Sequence, residues 1–280
     1  KINRVHSIPA GNNSHRKPAV GGRFCDLYRK APRKAGHIKN YTMSFIKITK
    51  PFILEIFGAS GDLAKLKIFP ALYDLMEQKR FPNKFFIVGF ARTQKTTEEF
   101  RDEFLKSVLK ARKKADKSLV EEMVRHVYYC VGDYDSKKDY QACNAMLQKL
   151  TEGEAMPRIV YFSVPPTVFK NIIENLGTTK FSKNEDLRLV IEKPFGEDAA
   201  SATELFHFVA RYFSEDCIYL LDHYLGKSAV QSILSLRHAN RLLNLIMKGQ
   251  EVANIQITAF EDFGIKDRVG YFDQVGTLKD

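Results

Sequence analysis

FGASGDLAKLKIFPAL, Phe57 to Leu72, follows directly on the apolar run PFILEI and sets two glycines, small residues between them and an acid ahead of a helical pattern. It is either a nucleotide-binding turn or an ordinary loop between a strand and a helix. Gly58 and Gly61 lack Cβ atoms, so the backbone there can turn sharply and approach a pyrophosphate, whose charge suits the following helix N-terminus. The spacing is GxxGxxA rather than GxGxxG, with Ala64 as the small residue for helix–strand packing.

Outward from this turn, apolar β-rich runs alternate with helical patterns. The predicted strands are PFILEIFGA, KFFIVGFA, HVYYCVGDY, RIVYFSVPP, LRLVIEKPF and CIYLLDHY. Between them the periodicity predicts a helix from Asp62 to Lys79, kinked at Pro70. Further helices are expected over TTEEFRDEFLKSVLKARKKA with Thr96 or Thr97 as cap, over the stretch before His126, over DSKKDYQACNAMLQKL, up to Asn175, and over EDAASATELFHFVARYF. This alternation predicts an α/β fold with a doubly wound parallel sheet and right-handed crossovers. After Tyr224 the rhythm changes. A long helical stretch, GKSAVQSILSLRHANRLLNLIM, precedes a predicted strand, ANIQITAFE, as at the start of a second domain.

The second predicted strand ends in Arg92, where a NAD site usually has an acid for the ribose 2′-hydroxyl. A guanidinium suits a 2′-phosphate, which favours NADP; the bland alternative is a solvated arginine at a strand end. At the ends of strands five and six lie IEKPFG (Ile191–Gly196) and LLDHYLGK (Leu220–Lys227). Asp222, His223, Tyr224 and Lys227 put an acid, an imidazole, a phenol and an ammonium within six residues. They are either a phosphate-binding cluster or core and surface residues of no special role.

The net charge of +11 is a nucleic-acid signal only until it is located. Residues 1–42 hold ten Lys/Arg and one acid, Asp26; the rest of the chain is nearly balanced. That segment has no periodic apolar face. It is read as sequence upstream of a start at Met43, with a disordered basic tail or a transit peptide as the alternatives. No apolar run reaches the ~20 residues of a membrane span. Cys25, Cys130, Cys143 and Cys217 show no CxxC spacing, so neither a disulfide framework nor a metal site is expected, and a reducing compartment is.

GASGDLAK, GFAR, YFSVPP, EKPFG, DHYLGK and the closing GYFDQVGTLKD, taken in order, resemble the motifs of the glucose-6-phosphate 1-dehydrogenase family from about Phe52 to Asp280. The resemblance implies a Rossmann-type NADP-binding domain over 43–222 and the beginning of an α+β substrate and dimerisation domain over 223–280. It implies oxidation of glucose 6-phosphate to 6-phosphogluconolactone by NADP in the oxidative pentose phosphate pathway. Gly58, Ala59, Ser60, Gly61, Asp62 and Leu63 would form the coenzyme turn, and Arg92 would face the 2′-phosphate. Tyr161 would lie beside the coenzyme. Lys193 would reach coenzyme and substrate, and the peptide bond to Pro194 would be cis. His223, Tyr224 and Lys227 would hold the sugar phosphate, while Glu261 and Asp280 contact sugar hydroxyls. Asp222 would orient the family's general-base histidine, which comes five residues after the position of Asp280; the 280 residues by themselves are expected to bind NADP without turnover. No metal, nucleic acid or membrane is implied. The full protein would be a homodimer or homotetramer in the cytoplasm, or in an organelle if residues 1–42 are a transit peptide. Leu220 departs from the pattern, since the family usually has arginine there, which puts substrate affinity in question. The rival readings are a non-catalytic NADP-binding module, a nucleic-acid-binding protein acting through residues 1–42, and a broader hexose-6-phosphate dehydrogenase of a secretory compartment.

Overall fold

The computed structural model describes residues 47–179, 186–256 and 258. Six strands form one parallel sheet: β1 (Phe52–Phe57), β2 (Phe85–Ala91), β3 (Val127–Val131), β4 (Arg158–Phe162), β5 (Leu187–Glu192) and β6 (Ile218–Leu221). Their order is β3-β2-β1-β4-β5-β6. The order reverses between β1 and β4, and in doubly wound sheets ligands bind beyond the carboxyl ends of the strands at such a point.

The helices are α1 (Phe69–Glu77), α2 (Thr97–Ala111), α3 (Lys117–Val124), α4 (Lys137–Leu150), α5 (Phe169–Thr178), α6 (Ala199–Ala210), α7 (Ser228–Ala239) and α8 (Arg241–Ile246). Strand side chains alternate between the two faces. On one face Leu54, Ile56 and Ile87 pack with Phe69, Phe100, Phe104 and Met123 of α1, α2 and α3. On the other, Phe57, Val88, Val160 and Leu189 pack with residues of α4, α5 and α6. Phe57 stacks there with Phe90, Tyr140 and Phe162, at centroid distances of 4.7, 5.7 and 6.2 Å. Thr96, not Thr97, caps α2: its hydroxyl accepts from the Glu99 amide, and the Glu99 carboxylate accepts from the Thr96 amide.

Four sequence expectations need adjustment. Pro70 does not simply kink its helix. Ala64–Ile68 widen into a π turn, in which the Phe69 amide reaches Ala64 O one residue before the proline that has no amide to give. The long helical stretch after Gly226 is two helices. Asn240 leaves helical geometry (φ −119°, ψ 107°) and caps α8 by accepting from the Leu242 and Leu243 amides. Of the strand expected over 253–261, residues 253–256 and 258 are described and none is in a strand, because no described strand lies beside them to complete the ladder. Finally, Cys130 and Cys143 form a disulfide. Spacing motifs miss it because the pair is made by packing, with Cys130 on β3 and Cys143 on α4 above it. Cys217 is free. The expectations for residues 1–42, Glu261 and Asp280 lie outside the described residues.

Candidate functional site

The glycine turn leaves the end of β1 with Gly58 at φ +82°. A Cβ at this position would stand 2.1 Å from Ser163 O and 2.7 Å from Val164 Cγ1, so both the backbone angle and the closeness of the chain after β4 demand glycine. The Gly61 amide donates to Gly58 O at 3.0 Å and closes the turn. Ala59 and Ala64 are buried beneath it, while Asp62 and Leu63 are exposed at the start of the helix. Thr93, just beyond Arg92, donates its hydroxyl to Ser60 Oγ at 3.1 Å and ties the end of β2 to the turn. The Arg92 guanidinium lies over the Tyr134 ring, 5.4 Å from its centroid, and remains exposed. Ser163 Oγ is buried beside the turn with no hydrogen-bond partner. A glycine cradle at the start of a helix, an exposed guanidinium and an unpaired hydroxyl suit a pyrophosphate dinucleotide with a 2′-phosphate, so the residues fit NADP.

The second part of the site lies at the ends of β4, β5 and β6. Tyr161 pairs in register with Ile56 of β1 and Val190 of β5. Tyr161 and Glu192 project from the same face of the sheet, opposite to Phe162 and Ile191, which are in the core. Their side chains meet: the Tyr161 hydroxyl donates to Glu192 Oε1. Glu192 Oε2 is 2.9 Å from His223 Nε2. Lys193 Nζ is 3.0 Å from Asp222 Oδ2, and Asp222 Oδ1 accepts from the Tyr224 amide. Lys227 Nζ lies 3.7 Å from the centroid of the Tyr224 ring. The Lys193–Pro194 peptide bond is cis. A cavity of about 260 Å³ opens among Lys193, Pro194, Phe195, Gly196, Leu220 and Asp222.

The electrostatics follow from these contacts. Burial, reinforced by the bond to Glu192, pushes the Tyr161 phenol well above its ordinary range, so it stays a neutral donor. The hydrogen bond from Lys193 holds the Asp222 carboxyl below its ordinary value, so it stays ionised. Burial raises the Tyr134 phenol against the pull of Arg92.

The structure thus brings Lys193, Asp222 and His223 together, with Tyr161 linked to them through Glu192, and sets Tyr224 against Lys227. The residues of the turn and Arg92 form the other part. Sequence reasoning missed Thr93, Tyr134, Ser163 and Glu192. Thr93 and Glu192 adjoin residues it had singled out, Arg92 and Lys193. Tyr134 and Ser163 become visible only once the strands are side by side.

A model of the glucose-6-phosphate dehydrogenase NAD-binding domain matches residues 55–232, and one of the C-terminal domain of the same enzyme matches residues 234–280. The chain belongs to the glucose-6-phosphate dehydrogenase family. It is 37% identical over 229 residues to the chloroplastic glucose-6-phosphate 1-dehydrogenase 1 of Arabidopsis thaliana, covering 81% of this chain and 40% of that protein. It is 38% identical to the Chlamydia pneumoniae enzyme, covering 82% of this chain and 47% of that protein. A glucose-6-phosphate dehydrogenase solved in complex with its substrate glucose 6-phosphate superposes with a TM-score of 0.74 at 33% identity, over 84% of this chain and 49% of that one. The chain therefore spans less than half the length of these family members.

Proposed function

We propose that the protein oxidises glucose 6-phosphate to 6-phospho-D-glucono-1,5-lactone with NADP as acceptor, in the oxidative pentose phosphate pathway. The observation that carries this reading is the meeting, at the carboxyl ends of one parallel sheet, of a glycine turn that tolerates no side chain with a Lys193–Asp222–His223–Glu192 cluster. Membership of the family supports it.

When bound, NADP supplies the acceptor for the hydride that leaves C1 of the sugar. This chain's residues bind and orient coenzyme and sugar. Gly58 to Leu63 receive the pyrophosphate, Arg92 pairs with the 2′-phosphate, and the neutral Tyr161 hydroxyl flanks the coenzyme. Lys193 serves coenzyme and sugar, and His223, Tyr224 and Lys227 bind the sugar phosphate by charge-assisted hydrogen bonds. Hydride departs only as the 1-hydroxyl proton is taken up by a base. Asp222 would orient that base, a histidine that the family resemblance puts beyond Asp280. Glu261 and Asp280 would contact sugar hydroxyls.

The proposed organisation is a coenzyme domain over 43–222 and a substrate and dimerisation domain from 223 onward, with residues 1–42 outside both. The proposed assembly is a homodimer or homotetramer, and the proposed location is the cytoplasm, or an organelle if residues 1–42 serve as a transit peptide. Among the described residues no helix is long and apolar enough to cross a membrane.

Fluorescence titration of the purified 280-residue chain with NADPH, followed by an assay for lactone formation, tests the reading. Saturable NADPH binding without turnover is expected. Failure to bind NADPH contradicts the coenzyme assignment, and measurable lactone formation contradicts the placing of the base beyond Asp280.

A further inference from the structure

Glu192 is assigned no contact with coenzyme or sugar, yet both its carboxylate oxygens are engaged by residues that are. It stands at the end of β5 between the ends of β4 and β6, and its side chain is only 13% exposed. Oε1 accepts from the Tyr161 hydroxyl on the coenzyme side. Oε2 meets His223 Nε2 on the sugar-phosphate side, where the imidazole is 66% exposed. The neighbouring Lys193 is turned away from it, into the pair with Asp222.

We propose that Glu192 is a positioning residue that joins the two halves of the site, holding Tyr161 in place for the coenzyme and His223 in place for the phosphate. The chemistry of the contact fixes more than the direction of the ring. An ionised carboxylate only accepts, so Nε2 carries a proton and donates it to Glu192; a phosphate also only accepts, so Nδ1 must carry a proton of its own to donate there. A phenol held by the other oxygen cannot swing toward the sugar. One carboxylate therefore sets the orientation of two side chains, one on β4 and one in the turn after β6, in the way that outer partners orient the groups that touch a ligand. The inference rests on the proposed roles of Tyr161 and His223.

The test uses the 280-residue chain, Glu192→Gln and Glu192→Ala, with thermal unfolding to verify that each variant is folded. Nitrogen-15 NMR of the histidine rings reports the His223 tautomer without any ligand. The wild-type ring is expected to be protonated at Nε2. In Glu192→Gln, whose amide can accept or donate, and in Glu192→Ala, the signal should move toward a mixture of tautomers. Titrations with NADPH and with glucose 6-phosphate should weaken by about three- to tenfold in Glu192→Ala, the scale of one typical net hydrogen bond on each side. The loss of NADPH affinity should disappear when Glu192→Ala is made in a Tyr161→Phe background. An unchanged His223 tautomer in folded Glu192→Gln and Glu192→Ala, or unchanged affinities for both ligands, overturns the inference while leaving the proposed function standing. Wild-type protein that binds neither ligand overturns the proposed function, and the positioning role with it.

Discussion

The two halves of the sheet are built differently. In β1 and β2 every residue is buried, because α1, α2 and α3 cover one face and α4 with α5 the other. In β4 and β5 only alternate residues are buried, and β6 has none. There one face lies under α5 and α6, while the other presents Tyr161, Val190 and Glu192. Beyond it the apolar residues Tyr219, Leu220, Ile233, Leu236 and Leu242 are all 47% exposed or more. The glycine turn therefore stands on a finished core and is fixed by packing. The Lys193–Asp222–His223 cluster stands at an open edge and is fixed by hydrogen bonds among its own side chains. Exposed apolar surface on this scale marks a face suited to further protein, and the relatives are more than twice as long as the part this chain spans.

The same contrast appears in the two carboxylate–cation pairs. Glu55 of β1 and Arg158 of β4 form a buried ion pair where the closed half meets the open one. The Arg158 Nε donates to Glu55 Oε1 at 2.7 Å, Nη2 donates to the same oxygen, and Nη1 donates to Asn144 Oδ1 at 3.1 Å. Glu55 Oε2 has no hydrogen-bond partner. Lys193 and Asp222 form the pair at the open edge, with side chains 51% and 30% exposed. The buried pair is costly to break from one side, and the exposed one is not.

The largest expected effect is at the turn. Gly58→Ala should abolish NADPH binding and lower stability by about 3–5 kcal/mol, since it combines left-handed strain with overlap against Ser163 O; calorimetric unfolding and fluorescence titration measure both. Arg158→Met strands the Glu55 carboxylate and should destabilise by about 3–5 kcal/mol, whereas Lys193→Met should change stability by less than about 1 kcal/mol. Equal losses in denaturant unfolding would erase the distinction between the buried pair and the exposed one.

The two acids should also give pH dependences of opposite sign. Burial raises the Glu55 carboxyl above its ordinary 4.5 despite Arg158. Its contribution is therefore present in full below pH 4.5 and lost as pH rises through the folded value. The Lys193 hydrogen bond lowers the Asp222 carboxyl below its ordinary 3.8. Its contribution is present above 3.8 and lost as pH falls through the folded value. Glu55→Gln should flatten the profile on the alkaline side of 4.5, and Asp222→Asn on the acid side of 3.8, in unfolding measured across pH. The smallest effect expected is at Leu220, which is 54% exposed and lines the cavity. Leu220→Arg adds a guanidinium beside the cavity and should tighten glucose 6-phosphate binding by about threefold, read by NMR titration.

The closed half was the more legible in sequence. FILEIF and FFIVGFA read as continuous apolar strands because they are buried on both faces, and GASG between a strand and a helix names its own geometry. Arg92 was legible as the residue ending β2. In the open half the alternation in RIVYF and LRLVIE was visible, but not which polar residues would meet. Glu192 sits next to Lys193 in sequence, yet its partners are 31 residues away in either direction. Such contacts depend on strand order and register, which periodicity does not encode. The Cys130–Cys143 disulfide and the Glu55–Arg158 pair escaped notice for the same reason. The break at Asn240 could have been read, since an asparagine within a helical run is a common cap.

If Gly58 to Leu63 and Arg92 build an NADP site on the closed half of the sheet, the chain tells NADPH from NADH through Arg92. Titrating the wild-type chain and Arg92→Ala with NADPH and with NADH reads this out. Wild type should prefer NADPH by about tenfold or more, and Arg92→Ala should lose the preference while keeping NADH affinity. Equal affinity of wild type for the two coenzymes, or a preference that survives in Arg92→Ala, would contradict it.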